Sequence, residues 1–254
     1  MIAFAGTVPE NYERHLRPIL FEPYAEDLAQ RVDGDRILEI ACGTGILTEA
    51  ILARRARATI VATDLNQGMI DVARKKTQSD RVTWRQADAM QLPFGDGDFD
   101  AVVCQFGFMF VPDKLAAFRE ARRVLRPTGT FMFNLWDSLA ENDASRFLDD
   151  AVTAMFPANP PRFVQLPFSM HDRREVDGIL HAAGFGHIKI TDVRKTMERS
   201  AARSFATGMV RGTPLFDQLT ERGAEIDRLI DGVIDACERH NGPLRMRAIV
   251  VEAR

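Results

Sequence analysis

At 254 residues, 46% hydrophobic and 27% charged, the chain has the length and mix of one sizeable globular α/β domain with a substantial core. Its formal net charge of -3 argues against a strongly basic nucleic-acid binder, although a local basic patch would not show in a total.

The N-terminal stretch Met1 to Thr7 is apolar but too short and too uncharged for a secretory signal. No apolar run approaches the roughly 20 residues that span a bilayer. Cytoplasmic location without a membrane span is the expectation. Residues 9–31 predict two helical pieces broken at Pro18 and Pro23. Tyr12, Leu16, Ile19 and Leu20 form one apolar face, which Tyr24, Leu28 and Val32 continue. Asp33-Gly34-Asp35 then reads as a turn.

From Arg36, short apolar runs alternate with amphipathic stretches. Strands are predicted over 36–41, 58–63, 81–86, 99–105 and 129–136, helices over 45–55, 67–77 and 113–125, and a short helix or turn near 91. This rhythm is that of a doubly wound, mostly parallel sheet with helices on both faces. Beyond Trp136 the rhythm changes. A helix over 138–156 precedes the irregular Phe156-Pro157-Ala158-Asn159-Pro160-Pro161. A helix over 172–183 ends at Gly184, a strand covers 187–193, helices cover 201–211 and 215–240, and a last strand covers 244–251. One domain is expected: a core over 33–137, with 1–32, 138–171 and 194–243 packing as covers.

Cys42, Cys104 and Cys237 lack the paired spacing of a zinc or redox site, so free thiols and no metal are expected. Gly43-Thr44-Gly45 follows a predicted strand and opens a helix. Without a Cβ, each glycine lets backbone approach a ligand at a helix entrance with unpaired N–H groups. Asp64 ends the next strand, 21 residues beyond Gly43, where a carboxylate suits both hydroxyls of an adenosine ribose. The competing role, capping the helix over 67–77, falls more naturally to Asn66. The same spacing suits a nicotinamide dinucleotide. That cofactor, however, wants a third glycine where Thr48 stands, and Gly43 to Leu47 carries no positive charge.

These motifs, in this order over Arg36 to Trp136, resemble the Rossmann-like class I S-adenosylmethionine-dependent methyltransferases, especially the ubiquinone- and menaquinone-biosynthesis type. Ile37 to Gly45 resembles the glycine motif, Val61 to Ile70 the ribose motif, Gln86 to Phe94 the adenine motif and Phe99 to Gln105 the fourth strand. The resemblance implies seven strands with the last antiparallel, a helical cover over the active site, and S-adenosylmethionine as cofactor. It implies that Glu39, Ala41, Gly43 and Gly45 hold the methionine end, Asp64 the ribose, and Leu65 and Met69 the adenine faces. Asp88 and the Ala89 N–H would meet the adenine edge, and the Gln105 carbonyl the methionine amine. Relatives often carry glycine at position 41, and a glycine pair where this chain has Thr128-Gly129.

The acceptor side is less defined. Tyr12 and Tyr24 either close over the sulfonium or anchor helices to the core. His15 and His171, in predicted covers, are the candidate bases among His15, His171, His181, His187 and His240. Asn134, Trp136 and Asp137 follow the fifth strand at the ligand edge of the sheet. Phe147, Met155, Phe156, Phe163, Phe168, Met170, Phe205, Met209 and Phe216 either wall an apolar pocket or form the core of the covers. The implied partner is a small lipophilic or aromatic acceptor rather than nucleic acid, on a monomer or homodimer. A silent cofactor-binding protein and a nicotinamide-dependent oxidoreductase are the alternatives.

Overall fold

Residues 8–254 are described in the computed structural model; Met1 to Thr7 lie outside the described residues. The chain enters through α1 (Val8–Asn11), a π-helix (Tyr12–Phe21) and α2 (Glu22–Arg31). The core then runs β1 (Arg36–Ile40), α3 (Ile46–Arg54), β2 (Thr59–Asp64), α4 (Gln67–Lys76), β3 (Val82–Gln86), β4 (Phe99–Gln105), α5 (Lys114–Val124) and β5 (Leu125–Trp136). It is followed by α6 (Asp143–Met155), α7 (Arg173–Ala182), β6 (Ile188–Met197), α8 (Ala202–Arg211), α9 (Leu215–Thr220), α10 (Ile226–Arg239) and β7 (Leu244–Ala253).

The strands form one seven-stranded sheet in the order β3-β2-β1-β4-β5-β7-β6. β1 to β5 run parallel, and β7 is antiparallel to both β5 and β6. β1 and β4 are central and almost fully buried, as their continuous apolar runs require when helices cover both faces. The order reverses between β1 and β4, which opens a crevice at their carboxyl ends.

Several boundaries differ from the sequence reading, each for a local reason. Residues 9–31 are not broken at the prolines. Pro18 sits inside the π-helix, whose wider turn tolerates a residue that an α-helix would kink on. Pro23 lies in the first turn of α2, where a missing N–H costs nothing. β5 begins at Leu125 rather than 129, with a register shift between the Phe99 and Ala101 pairings that takes up the segment around Pro127. The long helix expected over 215–240 is two, α9 and α10, separated near Gly223, whose φ is +69°. β6 runs on to Met197, paired along its whole length with β7.

The π-helix lies across α8 at two glycines. A Cβ on Gly208 would stand 2.5 Å from Leu16 Cδ2, and one on Gly212 2.7 Å from the Tyr12 backbone nitrogen. Backbone cannot give way as a leucine tip can. Gly212→Ala is therefore expected to destabilise the protein by about 1–3 kcal/mol, the usual range for overpacking. Urea denaturation checks this, and an unchanged midpoint would remove the close crossing from the account.

Candidate active site

Three residues after β1 take left-handed backbone: Ala41 (φ +54°), Gly43 (+55°) and Gly45 (+83°). Ala41 adopts this without glycine's freedom, so its backbone is strained where a glycine's would not be. The two loop glycines have different jobs. The space beside Gly43 is open, with nothing within 4 Å of an added Cβ, and Gly43 borders the large cavity. A Cβ on Gly45 would stand 2.9 Å from Trp84 Cη2 and 3.2 Å from Ala73 Cβ, and Gly45 does not border the cavity. Gly45 is thus a packing glycine between α3, α4 and β3, which corrects its assignment as a ligand-approach position.

Asp64 closes β2 and faces the loop. Its Oδ2 accepts from the Gly43 N–H at 2.8 Å and its Oδ1 from the Asn66 N–H at 2.8 Å. Burial pushes its carboxyl above the usual range, against the N–H groups of Asn66 and Gly43. Asn66 caps α4 by accepting from the Gly68 N–H, as the sequence suggested. Leu65, 49% exposed, is a large apolar side chain left at the cavity rim, and buried Met69 also borders the cavity. The Gln86 amide fixes that rim by donating to the Leu65 carbonyl at 2.8 Å, a role the sequence did not signal. Asp88 and Ala89 border the same end. Asp88 is also a turn residue, its Oδ1 accepting from the Met90 N–H at 2.8 Å.

Glu39 stands behind the loop rather than in the cavity wall. It is 1% exposed and accepts from the Thr48 hydroxyl at 2.5 Å. Thr48, notable in the sequence for not being glycine, is the buried partner this carboxyl needs. Burial, with the charges of Asp64 and Glu49, pushes the Glu39 pKa up to about 8.

Gln105 borders the cavity, but its side chain is engaged, donating to the Phe21 carbonyl at 2.8 Å. It ties β4 to the entry helices. Phe106, unmarked in the sequence, follows in left-handed backbone (φ +52°), held by its N–H to Asn134 Oδ1 at 2.9 Å. Its ring stacks on Trp136 at 4.1 Å and 6°.

The two tyrosines separate. Tyr12 borders the cavity and stacks on Phe21 at 4.7 Å. Burial, with Glu13 and Asp64 close by, holds its phenol well above the usual range, so it stays neutral. Tyr24 is a buried anchor edge-on to Phe106 and Trp136, away from the cavity. None of the five histidines borders the cavity. His15 is partly buried on the π-helix, and exposed His171 has Nδ1 2.8 Å from the Phe168 carbonyl. The geometry leaves neither where a catalytic base must stand. Asp137 is likewise away from the cavity, paired with Arg173 at 3.0 Å.

An ionic strap with no signal in the residue pattern binds the entry helices to the glycine loop. Arg17 pairs with Glu13 at 2.6 Å, Glu22 at 2.8 Å and also Glu49. Lys76 pairs with Glu13 and donates to the Thr44 carbonyl at 3.1 Å.

The cavity, about 830 Å³, runs from Asp88 and Leu65 past Gly43 and Tyr12 to Trp136, Met197 and Met246. Of the cover residues, Phe163, Phe168, Phe205 and Met209 wall it, whereas Phe147, Met155, Phe156, Met170 and Phe216 do not. An open glycine cradle, a carboxylate at ribose position and an exposed apolar rim fit a nucleoside without a pyrophosphate. They stand together where the sheet order reverses, at the carboxyl ends of β1 and β4.

Comparison with known proteins agrees. A family model described as a methyltransferase domain matches residues 38–133. The methyltransferase GfsG of Streptomyces halstedii is 31% identical over 68% of this chain and 61% of its own length. A demethylmenaquinone methyltransferase of Clavibacter sepedonicus is 32% identical over 62% of this chain and 68% of its own. The ubiquinone/menaquinone biosynthesis C-methyltransferase UbiE of Paracoccus denitrificans is 41% identical over 39% of this chain and 42% of its own. The chain therefore spans about two thirds or less of these relatives. Among solved structures, Haemonchus contortus phosphoethanolamine N-methyltransferase 2 with S-adenosyl-L-methionine superposes with TM-score 0.62 at 17% identity, over 96% of this chain and 56% of that one. The [4+2]-cyclase SpnF gives 0.58 at 21%, over 92% and 80%. The chain belongs to the class I S-adenosylmethionine-dependent methyltransferases, and S-adenosylmethionine is its cofactor. The nicotinamide alternative ends there.

Proposed function

We propose that the protein transfers a methyl group from S-adenosylmethionine to a small lipophilic or aromatic acceptor bound in the β5–β7 half of the cavity. The observation that carries this reading is the wall of that half. Phe106, Trp136, Phe168, Phe205, Met197 and Met246 border it, and the carboxylates bordering the cavity, Asp64 and Asp88, stand at the other end. In this reading Asp64 holds the ribose hydroxyls. Leu65 and Met69 hold the adenine faces, and Asp88 and the Ala89 N–H its edge. Ala41, Gly43 and the Gln105 carbonyl border the methionine portion, with Glu39 supplying negative charge from behind. The bound cofactor supplies a methyl group on a sulfonium, a leaving group already activated by its charge.

What the chain adds is alignment for an in-line displacement and exclusion of water, by the aromatic walls and by entry helices strapped through Arg17 and Lys76. The neutral Tyr12 phenol and the absence of histidine from the cavity wall support transfer without a protein base, to an acceptor nucleophilic as bound. S-adenosylhomocysteine release, followed across a panel of acceptors, tests the reading. Turnover is expected with small apolar or aromatic compounds. Turnover confined to large polar polymers would refute it.

Glu39 supplies a pH signature. Its folded pKa of about 8 lies above the usual 4.5, so the folded protein holds a proton there that the unfolded chain releases. The stability linked to this group is full below the usual carboxylate pKa and is lost as pH rises towards 8. A cationic cofactor favours the ionised carboxylate and should expel that proton. Calorimetric titration at pH 7 in buffers of different ionisation enthalpy should show net proton release, reduced in Glu39→Gln. Heats independent of buffer would show that Glu39 does not sense the cofactor.

A further inference from the structure

The acceptor half of the cavity ends at the first turn of α6, where Asn142, Ala144, Ser145, Thr213 and Arg245 border it. Most of the polar groups there are already engaged. The Asn142 amide donates to the Ser138 and Arg247 carbonyls at 3.0 and 3.2 Å, and its oxygen accepts from the Arg247 N–H at 3.0 Å. The Thr213 hydroxyl donates to the Met209 carbonyl at 2.6 Å. Arg245 is held by Asp143 at 2.9 Å, Glu141 at 3.2 Å and the Ala140 carbonyl at 3.0 Å.

Ser145 is the exception. It is 8% exposed, borders the cavity, and its hydroxyl has no hydrogen-bond partner among the described residues. Beside it, α6 opens without a side-chain cap. The backbone N–H groups of Ala144 and Ser145 in that first turn find no carbonyl, whereas the Arg146 N–H bonds to the Asn142 carbonyl at 2.9 Å. Three donors without a protein partner thus stand at one helix start that borders the cavity. The local charge decides what they suit: the Arg245 and Arg146 guanidinium groups are already matched by the carboxylates of Asp143 and Glu141. With those charges paired among themselves no cation is left over for an anion, and the donors suit a neutral oxygen.

We propose that the first turn of α6 is the second recognition point for the methyl acceptor: the Ser145 hydroxyl and the Ala144 and Ser145 N–H groups donate to a neutral carbonyl or hydroxyl oxygen on it. This rests on reading that half of the cavity as the acceptor site. The methionine portion stands at β4, and Arg245 on β7 lies two strand positions further, on the order of 10 Å at the usual strand spacing. The acceptor therefore spans about that distance and is largely apolar, with its methylated atom towards β4 and its recognised oxygen at the far end.

The test uses protein saturated with S-adenosylhomocysteine and three probes of one skeleton: 4-phenylbutan-2-one, isopentylbenzene and 3-phenylpropanoate. Calorimetry gives each Kd for wild type, Ser145→Ala and Ser145→Cys. Both substitutions should weaken the ketone by about five- to tenfold, the usual worth of one neutral hydrogen bond. They should leave the hydrocarbon within about twofold and S-adenosylhomocysteine binding unchanged. Equal effects on ketone and hydrocarbon, or none on the ketone, would overturn the recognition point while leaving the apolar acceptor site standing. Tightest binding by the carboxylate, lost on substitution, would overturn the neutral-oxygen class. If neither ketone nor hydrocarbon binds while S-adenosylhomocysteine does, the recognition point and the acceptor site fall together.

Discussion

Asp64→Ala is expected to weaken S-adenosylmethionine binding more than a hundredfold in a protein that still folds. Hydrogen bonds to a charged acceptor contribute roughly 1.5–3 kcal/mol each. Losing two ribose hydroxyls from one carboxylate therefore costs about 3–6 kcal/mol, at about 1.4 kcal/mol per tenfold. A second loss compounds the first. Asp64 accepts from the Gly43 N–H, so its removal also releases the loop that must approach the cofactor. The fold should survive, because Asn66 and not Asp64 caps α4, and because burial already disfavours this carboxylate. Calorimetry measures the affinity, and circular dichroism the fold. Affinity within a few-fold of wild type would remove Asp64 from the site.

Gly43→Val and Gly45→Val should fail in opposite ways. At Gly43 the added side chain meets open cavity, so the folded protein bears mainly the cost of left-handed backbone, roughly 1–2 kcal/mol. The valine then fills the space the cofactor needs, and affinity should drop well beyond tenfold. At Gly45 the side chain meets Trp84 and Ala73 instead, adding about 1–3 kcal/mol of overpacking to similar backbone strain. Stability should fall further there. Affinity of the remaining folded molecules should change less than in Gly43→Val. Denaturation and titration of both variants separate the outcomes, and the reverse pattern would show that the glycine roles are exchanged.

That contrast marks the limit of what was legible in the sequence. Strands β1 to β4 were readable within a residue or two: the buried central strands β1 and β4 leave apolar runs, and the half-exposed edge strand β3 shows in its alternation of Val82 and Trp84 with polar residues. The start of β5 was not, because Pro127 reads as a break until the register shift against β4 absorbs it. Pro18 misled in the same way until the π-helix made room for it. Asp64, Leu65, Met69 and Asp88 were identifiable from motif order, and all four border the cavity. Glu39 and Gly45 share those motifs yet stand behind the wall, a difference that depends on which neighbours a side chain meets. The cover residues make the point most sharply. Phe163 and Phe168 wall the cavity while Phe147 and Phe156 do not, although nothing in residue type or local spacing distinguishes them. Ser145 was invisible for the same reason: a lone serine acquires meaning only when every polar neighbour is engaged and it is not.

A crystal structure with S-adenosylhomocysteine bound would place the nucleoside. Both ribose hydroxyls should lie on the Asp64 carboxylate, the adenine between Leu65 and Met69 with its amino group on Asp88, and the sulfur facing the cavity half walled by Phe106 and Trp136. A nucleoside seated elsewhere, or a ribose that Asp64 does not touch, would contradict this placement.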